Sequence, residues 1–228
     1  KLDSRSSITL PDFPYQRKTI WMEEAEGMIA SPKPSITKRI PFEKELYYEK
    51  EPAIRDHQVQ GRAIAPAVLL IDMAMETARK ENPEATGLSD VLIGKSLPLE
   101  PGSPRMVRGE AEDLEESTRI SITSSPLGKR ENGKEHLSGY LHTERAAMAD
   151  LDLPAIQARC TEKVEAGEIY RQLDESGLSY GTSMLSIVDV QRNNEELIAR
   201  IEPPPSERHR GYLDPAILDG AMQSIGGF

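Results

Sequence analysis

Apolar residues concentrate in a segment that begins at Pro66 and runs to about Ala78. They fall on almost every face of the helix that this segment would form, whereas a surface helix carries a single apolar stripe. Proline is favoured at the first helical position, because its missing N–H would have no intrahelical acceptor there. The pattern therefore predicts a buried helix that starts at Pro66 and is ended by Asn82 and Pro83.

Strand-like segments lie on both sides of this helix. Residues 35–48 are rich in β-branched and aromatic side chains, and Pro41 within them predicts an edge strand or a bulge. Thr118–Thr123 alternates polar and apolar residues, which is typical of a half-buried strand. The strands predicted after the helix are Val91–Ile93, Met106–Ala111, Arg119–Ser124 and Glu135–Thr143. One helix followed by several antiparallel strands predicts a sheet curled around that helix.

A second set of elements follows residues 146–161, which are predicted to be a linker. Glu168–Leu173 predicts a helix, and Gly177 is a plausible C-terminal cap for it. Strands are predicted across Leu185–Gln191 and Leu197–Ile201, and a last helix at Pro215.

The last helix shares its pattern with the first. When Pro66 is aligned with Pro215, apolar residues match at four following positions. Leu70, however, corresponds to Asp219. The alignment suggests an internal repeat in which a carboxylate stands where the first helix has a leucine.

Composition narrows the class of protein. The chain has 228 residues, of which 37% are hydrophobic and 29% charged, as in globular proteins. A formal net charge of −10 argues against general binding to nucleic acid or to anionic membranes. No apolar run is long enough to cross a bilayer, and we expect no secretory signal. The single cysteine, Cys160, is expected to be an unreactive thiol in a reducing cytoplasm.

Two segments carry candidate chemistry. The first has the spacing His-x3-Gly-x4-Pro, formed by His57, Gly61 and Pro66 just ahead of the buried helix. Here His57 is expected in a loop, and Gly61 offers a backbone position that a ligand can approach closely. The second segment places Asp219 on an apolar helix, with Gln223 on the same face at i+4. Burial there would raise the pKa of Asp219 and keep the carboxyl protonated.

Other polar residues are assigned structural roles. Asp214 is expected to be the N-cap of the last helix, before Pro215. For His136, His142 and His209 a surface or hydrogen-bonding role is expected. The sequence shows no cluster with metal-ligand spacing, no glycine-rich nucleotide loop and no Gly-x-Ser-x-Gly elbow.

Four segments, in order, resemble the dehydratase domains of modular polyketide synthases. They are Leu-Pro-x-x-Pro-x-Gln-Arg-x-x-x-Trp at residues 10–21, the His57 to Pro66 segment, Tyr170-x2-Leu173-x3-Gly177-Leu178-x-Tyr180-Gly181, and Leu213 to Gln223 with its Asp-x3-Gln pattern. The resemblance implies an α+β fold of the double hot-dog type, in which two antiparallel sheets each wrap a central helix. It implies an inter-domain linker at residues 1–25, a first half at 26–145, a linker at 146–161 and a second half at 162–228.

The resemblance also implies an activity. Such a domain removes water from a β-hydroxyacyl chain carried as a thioester on an acyl carrier protein. His57 would be the base and Asp219 the acid, while Gly61, Pro66, Tyr180 and Gln223 would bind or orient the substrate. No metal and no cofactor are implied beyond the carrier's phosphopantetheine arm. The implied partners are the acyl carrier protein and neighbouring domains of a multidomain synthase, and the resemblance is compatible with a homodimer. The implied location is the cytoplasm.

Three departures from the family pattern keep alternatives open. Asp214 replaces the usual His before proline, and Tyr180-Gly181-Thr182-Ser183-Met184 replaces Tyr-Gly-Pro-x-Phe. The chain opens at Lys1 without methionine and stops at Phe228, so we expect a fragment whose second hot dog is incomplete. A cyclic-ether-forming or double-bond-shifting relative, or a non-catalytic scaffold domain, are therefore alternatives to a dehydratase.

Overall fold

The described residues form a five-stranded and a three-stranded antiparallel sheet, each with a helix against it, and a small third sheet. The structure was obtained as a computed structural model that describes residues 37–129, 133–145, 150–205 and 211–227. All of these belong to one unit of the chain, Pro34–Phe228. The elements in chain order are β1 (Lys38–Leu46), α1 (Pro52–Arg55), β2 (His57–Val59), β3 (Arg62–Ala63), α2 (Ala67–Glu81), β4 (Gly87–Ile93), β5 (Arg105–Asp113), β6 (Thr118–Pro126), β7 (Lys134–His142), α3 (Leu153–Arg159), β8 (Glu162–Val164), α4 (Ala166–Glu175), β9 (Leu178–Tyr180), β10 (Ile187–Arg192), β11 (Leu197–Ile201) and α5 (Pro215–Gln223). We call residues 37–145 the N-terminal half and residues 150–227 the C-terminal half.

The N-terminal half is a five-stranded sheet around α2. The strand order is β1-β5-β6-β7-β4, and all neighbours are antiparallel. The register of β1 against β5 shifts between Arg39 and Phe42. Pro41 therefore lies both on an edge strand and at a bulge, the two places where a strand tolerates a missing N–H. The predicted strands and the sheet curled around a helix are confirmed in this half.

Helix α2 supplies most of the core that the sheet encloses. Nine of its residues are buried on several faces, as the apolar pattern predicted. Asn82 is its C-cap and Pro83 follows, so the helix ends where the sequence indicated. Its core contacts in the sheet are Phe42, Leu46, Val107, Ala111, Ile120, Ile122 and Leu137.

The helix lies close to the sheet at Gly109 on β5. A Cβ at this position would lie 1.8 Å from the Thr77 Oγ1 atom and 2.8 Å from Thr77 Cβ. Thr77 is fully buried and its hydroxyl donates to the Met73 carbonyl at 2.7 Å. Glycine at 109 is therefore what lets α2 lie against the centre of the sheet.

We expect Gly109→Ala to destabilise the fold by about 1–3 kcal/mol, the usual cost of overpacking a core. Thr77→Ala removes the nearest atom, so the double variant should recover much of the loss. Urea unfolding of the single and double variants measures both effects. Gly87→Ala is the matched control, because a Cβ there meets nothing within 4 Å. Equal stability of Gly109→Ala and Gly87→Ala would contradict this account of the helix contact.

The C-terminal half has a three-stranded antiparallel sheet with order β11-β10-β8. Its small core joins Ile169 of α4 to Ile187 and Val190 of β10. Gly177 follows α4 with φ of +90°, the left-handed conformation expected of a helix-terminating glycine. The strands and the two helices predicted here are present. Residues 146–161, predicted as a linker, contain helix α3, which the sequence pattern did not indicate.

A third sheet joins the two halves. Its strand order is β3-β2-β9, and β2 pairs antiparallel with β9 so that His57 faces Tyr180. Helix α2 also contacts α5. The two candidate segments are thus brought to one place by contacts between distant parts of the chain. The predicted linker at residues 1–25 lies outside the described residues.

None of the described helices combines the length and apolar character needed to span a bilayer.

Candidate active site

His57 opens strand β2, so the prediction that it lies in a loop was wrong. Its strand exists because the backbone pairs with Tyr180, a contact that the local pattern does not reveal. The His57 Nδ1 atom lies 2.8 Å from the carbonyl oxygen of Ile64. A carbonyl only accepts, so Nδ1 carries the proton and the neutral ring leaves the Nε2 lone pair free. This tautomer is the one that a general base needs.

Gly61 lies in the turn between β2 and β3. Gln60 and Gly61 have φ of +51° and +73°, as a two-residue hairpin turn of type I′ requires. Gly61 is exposed, and a Cβ on it would meet nothing within 4 Å. The structure thus explains this glycine by its backbone conformation. A contact between its backbone and a substrate stays a prediction.

Pro66 lies one residue before α2 rather than at its first helical position. It is buried, has φ of −60° and ψ of 149°, and provides no side-chain cap. The first N–H groups of an α-helix have no acceptor within the helix. The N–H groups of Ala67 and Val68 therefore form a site of positive potential at the start of α2. A role of Pro66 towards the substrate is still a prediction.

Asp219 and Gln223 form a buried pair on α5. Asp214 caps this helix as predicted, accepting from the Ala216 and Ile217 N–H groups at 3.0 and 3.4 Å. One turn further in, Asp219 is 7% exposed and Gln223 4% exposed. The Gln223 Nε2 atom donates to Asp219 Oδ2 at 2.6 Å. The contact expected from the i+4 spacing is present, and Gln223 Oε1 is buried with no partner in the described part of the chain.

Burial raises the pKa of the Asp219 carboxyl above its usual value. The bond from Gln223, and the positive charge of His57 whenever that ring is protonated, act in the opposite direction, but burial prevails. A carboxyl in this state keeps its proton to higher pH than an exposed one does, and is able to donate it.

Tyr180 lies near both His57 and Asp219. Its ring lies 5.5 Å from the His57 ring, edge to face. Burial first, and then the nearby charge of Asp219, raise the pKa of Tyr180 to about 12, although a hydrogen bond from Gln223 opposes the shift. The phenol is thus protonated throughout the neutral range. The structure therefore brings together His57, Tyr180, Asp219 and Gln223, and leaves Gly61 at an exposed turn.

Residues that the sequence analysis did not single out support this group. The Tyr170 hydroxyl accepts from the N–H groups of Ser186 and Ile187 at 3.0 and 3.1 Å, and its ring lies 6.1 Å from that of Tyr180. Tyr170 was noted only as part of a motif. Asp56, directly before His57, accepts from the Ser183 N–H at 3.0 Å. In the sequence, only its position directly before His57 indicated that Asp56 could support the site.

The other histidines and the cysteine that the structure describes lie outside this group. His136 is fully buried between the Ser124 hydroxyl at 2.7 Å and the Lys95 carbonyl at 3.0 Å, and burial lowers its pKa. His142 ends β7 at the surface, and Cys160 is buried. His209 lies outside the described residues. Within the part of the chain that is described, no group of three or more His, Cys, Asp or Glu side chains is arranged to hold a metal ion.

Comparison with family profiles covers most of the chain. A profile described as "Polyketide synthase dehydratase domain" matches residues 29–125. A second, described as "Polyketide synthase dehydratase N-terminal domain", matches residues 148–228. The two matched ranges contain all six residues predicted for the site.

Curated relatives are much longer proteins. The chain is 24% identical to polyketide synthase PksM of Bacillus subtilis over 97% of its own length and 6% of that protein. It is 27% identical to the spectinabilin polyketide synthase protein NorA' of Streptomyces orinoci, over 95% of the chain and 7% of the relative. The chain therefore corresponds to a small part of each of these synthases.

The fold is shared with solved dehydratase domains. The dehydratase of the CurK module of curacin polyketide synthase superposes with a TM-score of 0.71 at 25% identity, covering 81% of this chain and 67% of that one. Two CurK variants described as inactive, one with a histidine changed to phenylalanine and one with an aspartate changed to asparagine, match equally well. The α+β hot-dog prediction is confirmed, and the chain belongs to the dehydratase domains of polyketide synthases.

Proposed function

We propose that this domain removes water from a β-hydroxyacyl thioester carried on an acyl carrier protein. The observation that carries the proposal is one base and one acid at the same site. His57 presents a free Nε2 lone pair, and Asp219 is buried with a raised pKa. Elimination needs both groups, with proton affinities set apart by different surroundings.

In the proposed mechanism His57 Nε2 takes the proton from the α-carbon. Asp219 gives its proton to the β-hydroxyl, the C–O bond breaks, and water leaves as the α,β double bond forms. His57 then loses its extra proton to solvent, and Asp219 takes a proton from solvent, which restores both groups. The inactive histidine and aspartate variants of CurK support the assignment of these two residue types.

The remaining site residues would bind and orient the substrate. The unpaired Oε1 of Gln223 is a ready acceptor for the β-hydroxyl, which would hold the leaving oxygen beside Asp219. Tyr180, protonated at neutral pH, is a donor next to His57. The N–H groups at the start of α2 would stabilise the negative charge that develops on the thioester oxygen. Gly61 and Pro66 shape the approach to that helix end in this proposal.

The proposal requires no metal and no cofactor held by the domain, because the substrate arrives on the carrier's phosphopantetheine arm. The long relatives support neighbouring domains in the same synthase. The acyl carrier protein as partner, a homodimer and a cytoplasmic location belong to the proposal as well.

Dehydration is favoured over the alternatives by Asp219. Double-bond-shifting relatives typically lack the aspartate and the motif proline, and this chain has both Asp219 and Pro66. In a scaffold domain the buried carboxyl of Asp219 would lower stability and have no reacting group to serve. Cyclic-ether formation after dehydration would use the same first step.

The test is to incubate the 228-residue chain with a carrier protein loaded with each enantiomer of a 3-hydroxyacyl group. We expect one enantiomer to lose the mass of one water, detected by mass spectrometry, with a rate that falls at high pH as Asp219 loses its proton. Carrier protein loaded with the 3-deoxy acyl group is the control for loss of mass by other routes. Absence of water loss from both enantiomers at every chain length tried would refute the proposal.

A further inference from the structure

Two carboxylates outside the acid–base pair reach from the N-terminal half to backbone N–H groups of the C-terminal half. Asp56 Oδ2 accepts from the Ser183 N–H at 3.0 Å, and Asp72 Oδ1 accepts from the Leu213 N–H at 2.6 Å. The partners are 127 and 141 residues apart in sequence. Each bond therefore fixes one point of the C-terminal half against the N-terminal half.

Asp56 fixes the segment that follows Tyr180. Besides the bond from Ser183, its backbone carbonyl accepts from the Gly181 N–H at 2.7 Å. A Cβ on Gly181 would lie 2.5 Å from Asp56 Cγ, so the side chain of Asp56 packs directly against the Gly181 backbone. Burial opposes ionisation of Asp56, but the bonds from Ser183 and Arg55 outweigh it and lower the pKa of its carboxyl. Asp56, which directly precedes His57 in the sequence, is thus an ionised clamp on the turn that begins after Tyr180.

Asp72 fixes the start of the helix that carries Asp219. It lies on α2 and is 2% exposed, although its neighbours on that helix are apolar. Its partner Leu213 directly precedes Asp214, the N-cap of α5. A buried carboxylate costs free energy, which an apolar residue at this position of the helix would avoid. What the carboxylate provides is a bond that determines where α5 begins relative to α2.

We propose that Asp56 and Asp72 are positioning residues that together set the distance between His57 and Asp219. The inference rests on the proposed function, because it concerns the geometry of that acid–base pair. Asp56 holds the base-bearing strand against Tyr180, and Asp72 holds the acid-bearing helix against α2. A displacement of about 1 Å at a reacting group lowers turnover by roughly 100-fold. Loss of either clamp should therefore lower kcat and leave KM nearly unchanged.

The experiment compares two substitutions at each position in the 228-residue chain. Asp→Asn keeps the length of the side chain and an oxygen that accepts from the N–H, but removes the charge. Asp→Glu keeps the charge and displaces the carboxylate by one methylene. Positioning predicts that Asp56→Asn and Asp72→Asn keep kcat within about 3-fold, whereas Asp56→Glu and Asp72→Glu lose about 10- to 100-fold in kcat. Asp113→Glu, at a surface carboxylate bonded to Arg39, is the control expected to leave kcat unchanged.

A second readout does not depend on dehydration. In the free protein the rings of His57 and Tyr180 are close enough for a nuclear Overhauser effect, which the Glu variants should weaken and the Asn variants should keep. If the wild type shows this effect and the Glu variants lose it while no chain dehydrates the substrate, the positioning inference stands and the proposed function fails. Glu variants with wild-type kcat and an unchanged effect would overturn the inference. Should Asp72→Glu fail to fold, the comparison at Asp56 decides, because its side chain is 13% exposed and tolerates change more readily.

Discussion

Asp219→Asn is expected to lower dehydration by about 100- to 10,000-fold, the usual contribution of a positioned general acid. Asparagine has no proton to give to the β-hydroxyl, yet it has the shape of the carboxyl and still accepts from Gln223. The substitution should lower kcat and leave KM nearly unchanged, because the substrate still binds. Water loss from the loaded carrier protein, followed under saturating substrate, measures it.

The same substitution should make the protein more stable at high pH. The unfolded carboxyl titrates near its ordinary pKa of about 3.9, whereas burial raises the pKa in the folded protein. Between these two values the folded state keeps a proton that the unfolded state has released, so stability falls as pH rises through that window. Asparagine does not titrate, so the variant does not lose this stability. We therefore expect the variant to melt at a higher temperature than the wild type above the window and at a similar temperature below about pH 4.

Asp214→Asn is the matched control on the same helix. Asparagine is as good an N-cap as aspartate, so this variant should retain activity and gain no stability with rising pH. A wild-type rate in Asp219→Asn would rule out Asp219 as the acid. A melting temperature that follows the wild type at every pH would contradict the buried, raised-pKa state of its carboxyl.

His57→Gln is expected to lose activity by a similar factor, about 100- to 10,000-fold, because the glutamine amide is not a base. The amide still donates to the Ile64 carbonyl, so the hairpin should keep its conformation. The measurement is water loss together with exchange of the α-hydrogen for deuterium from solvent, and both should disappear. The assay separates the roles of the two residues, since exchange depends on the base alone.

His142→Gln is the control, because His142 lies at the surface end of β7. It should eliminate water and exchange the α-hydrogen at wild-type rates. If His57→Gln exchanged the α-hydrogen as fast as His142→Gln, the base would have to be another group.

Local sequence patterns were sufficient to predict the elements that bury an apolar face. The core helix, its end at Asn82, and the bulge at Pro41 all follow from side-chain type and spacing. Helix α3 was missed because it buries none of its residues and so shows no apolar stripe. The short strands β2 and β9 were missed for a different reason. They are held by pairing with each other across the two halves, and nothing within either segment specifies that partner.

Within the site, contacts between residues of the same helix could be predicted from the sequence. Because residues four apart share a helix face, the bond between Gln223 and Asp219 could be expected from spacing alone. Tyr180 was assigned to the site by a family resemblance alone. Its position beside His57 was not predicted, because it depends on the β2–β9 pairing. In the sequence, Asp72 only interrupts the apolar run that follows Pro66. Its bond to the Leu213 N–H depends on how two helices lie together, which a sequence does not state.

The sheet formed by β3, β2 and β9 has a consequence for the order of events during biosynthesis. The ribosome completes the histidine-bearing hairpin long before it reaches the strand that pairs with it, because Asp56 and its partner Ser183 are 127 residues apart. At about 5–20 residues per second, this interval lasts on the order of 6 to 25 s. The five-stranded sheet has time to form around α2 within that interval, whereas the edge of β2 that pairs with β9 has no partner until β9 is synthesised. We therefore expect the N-terminal half to fold first, and the proposed pair of His57 and Asp219 to form only after the C-terminal half has been synthesised.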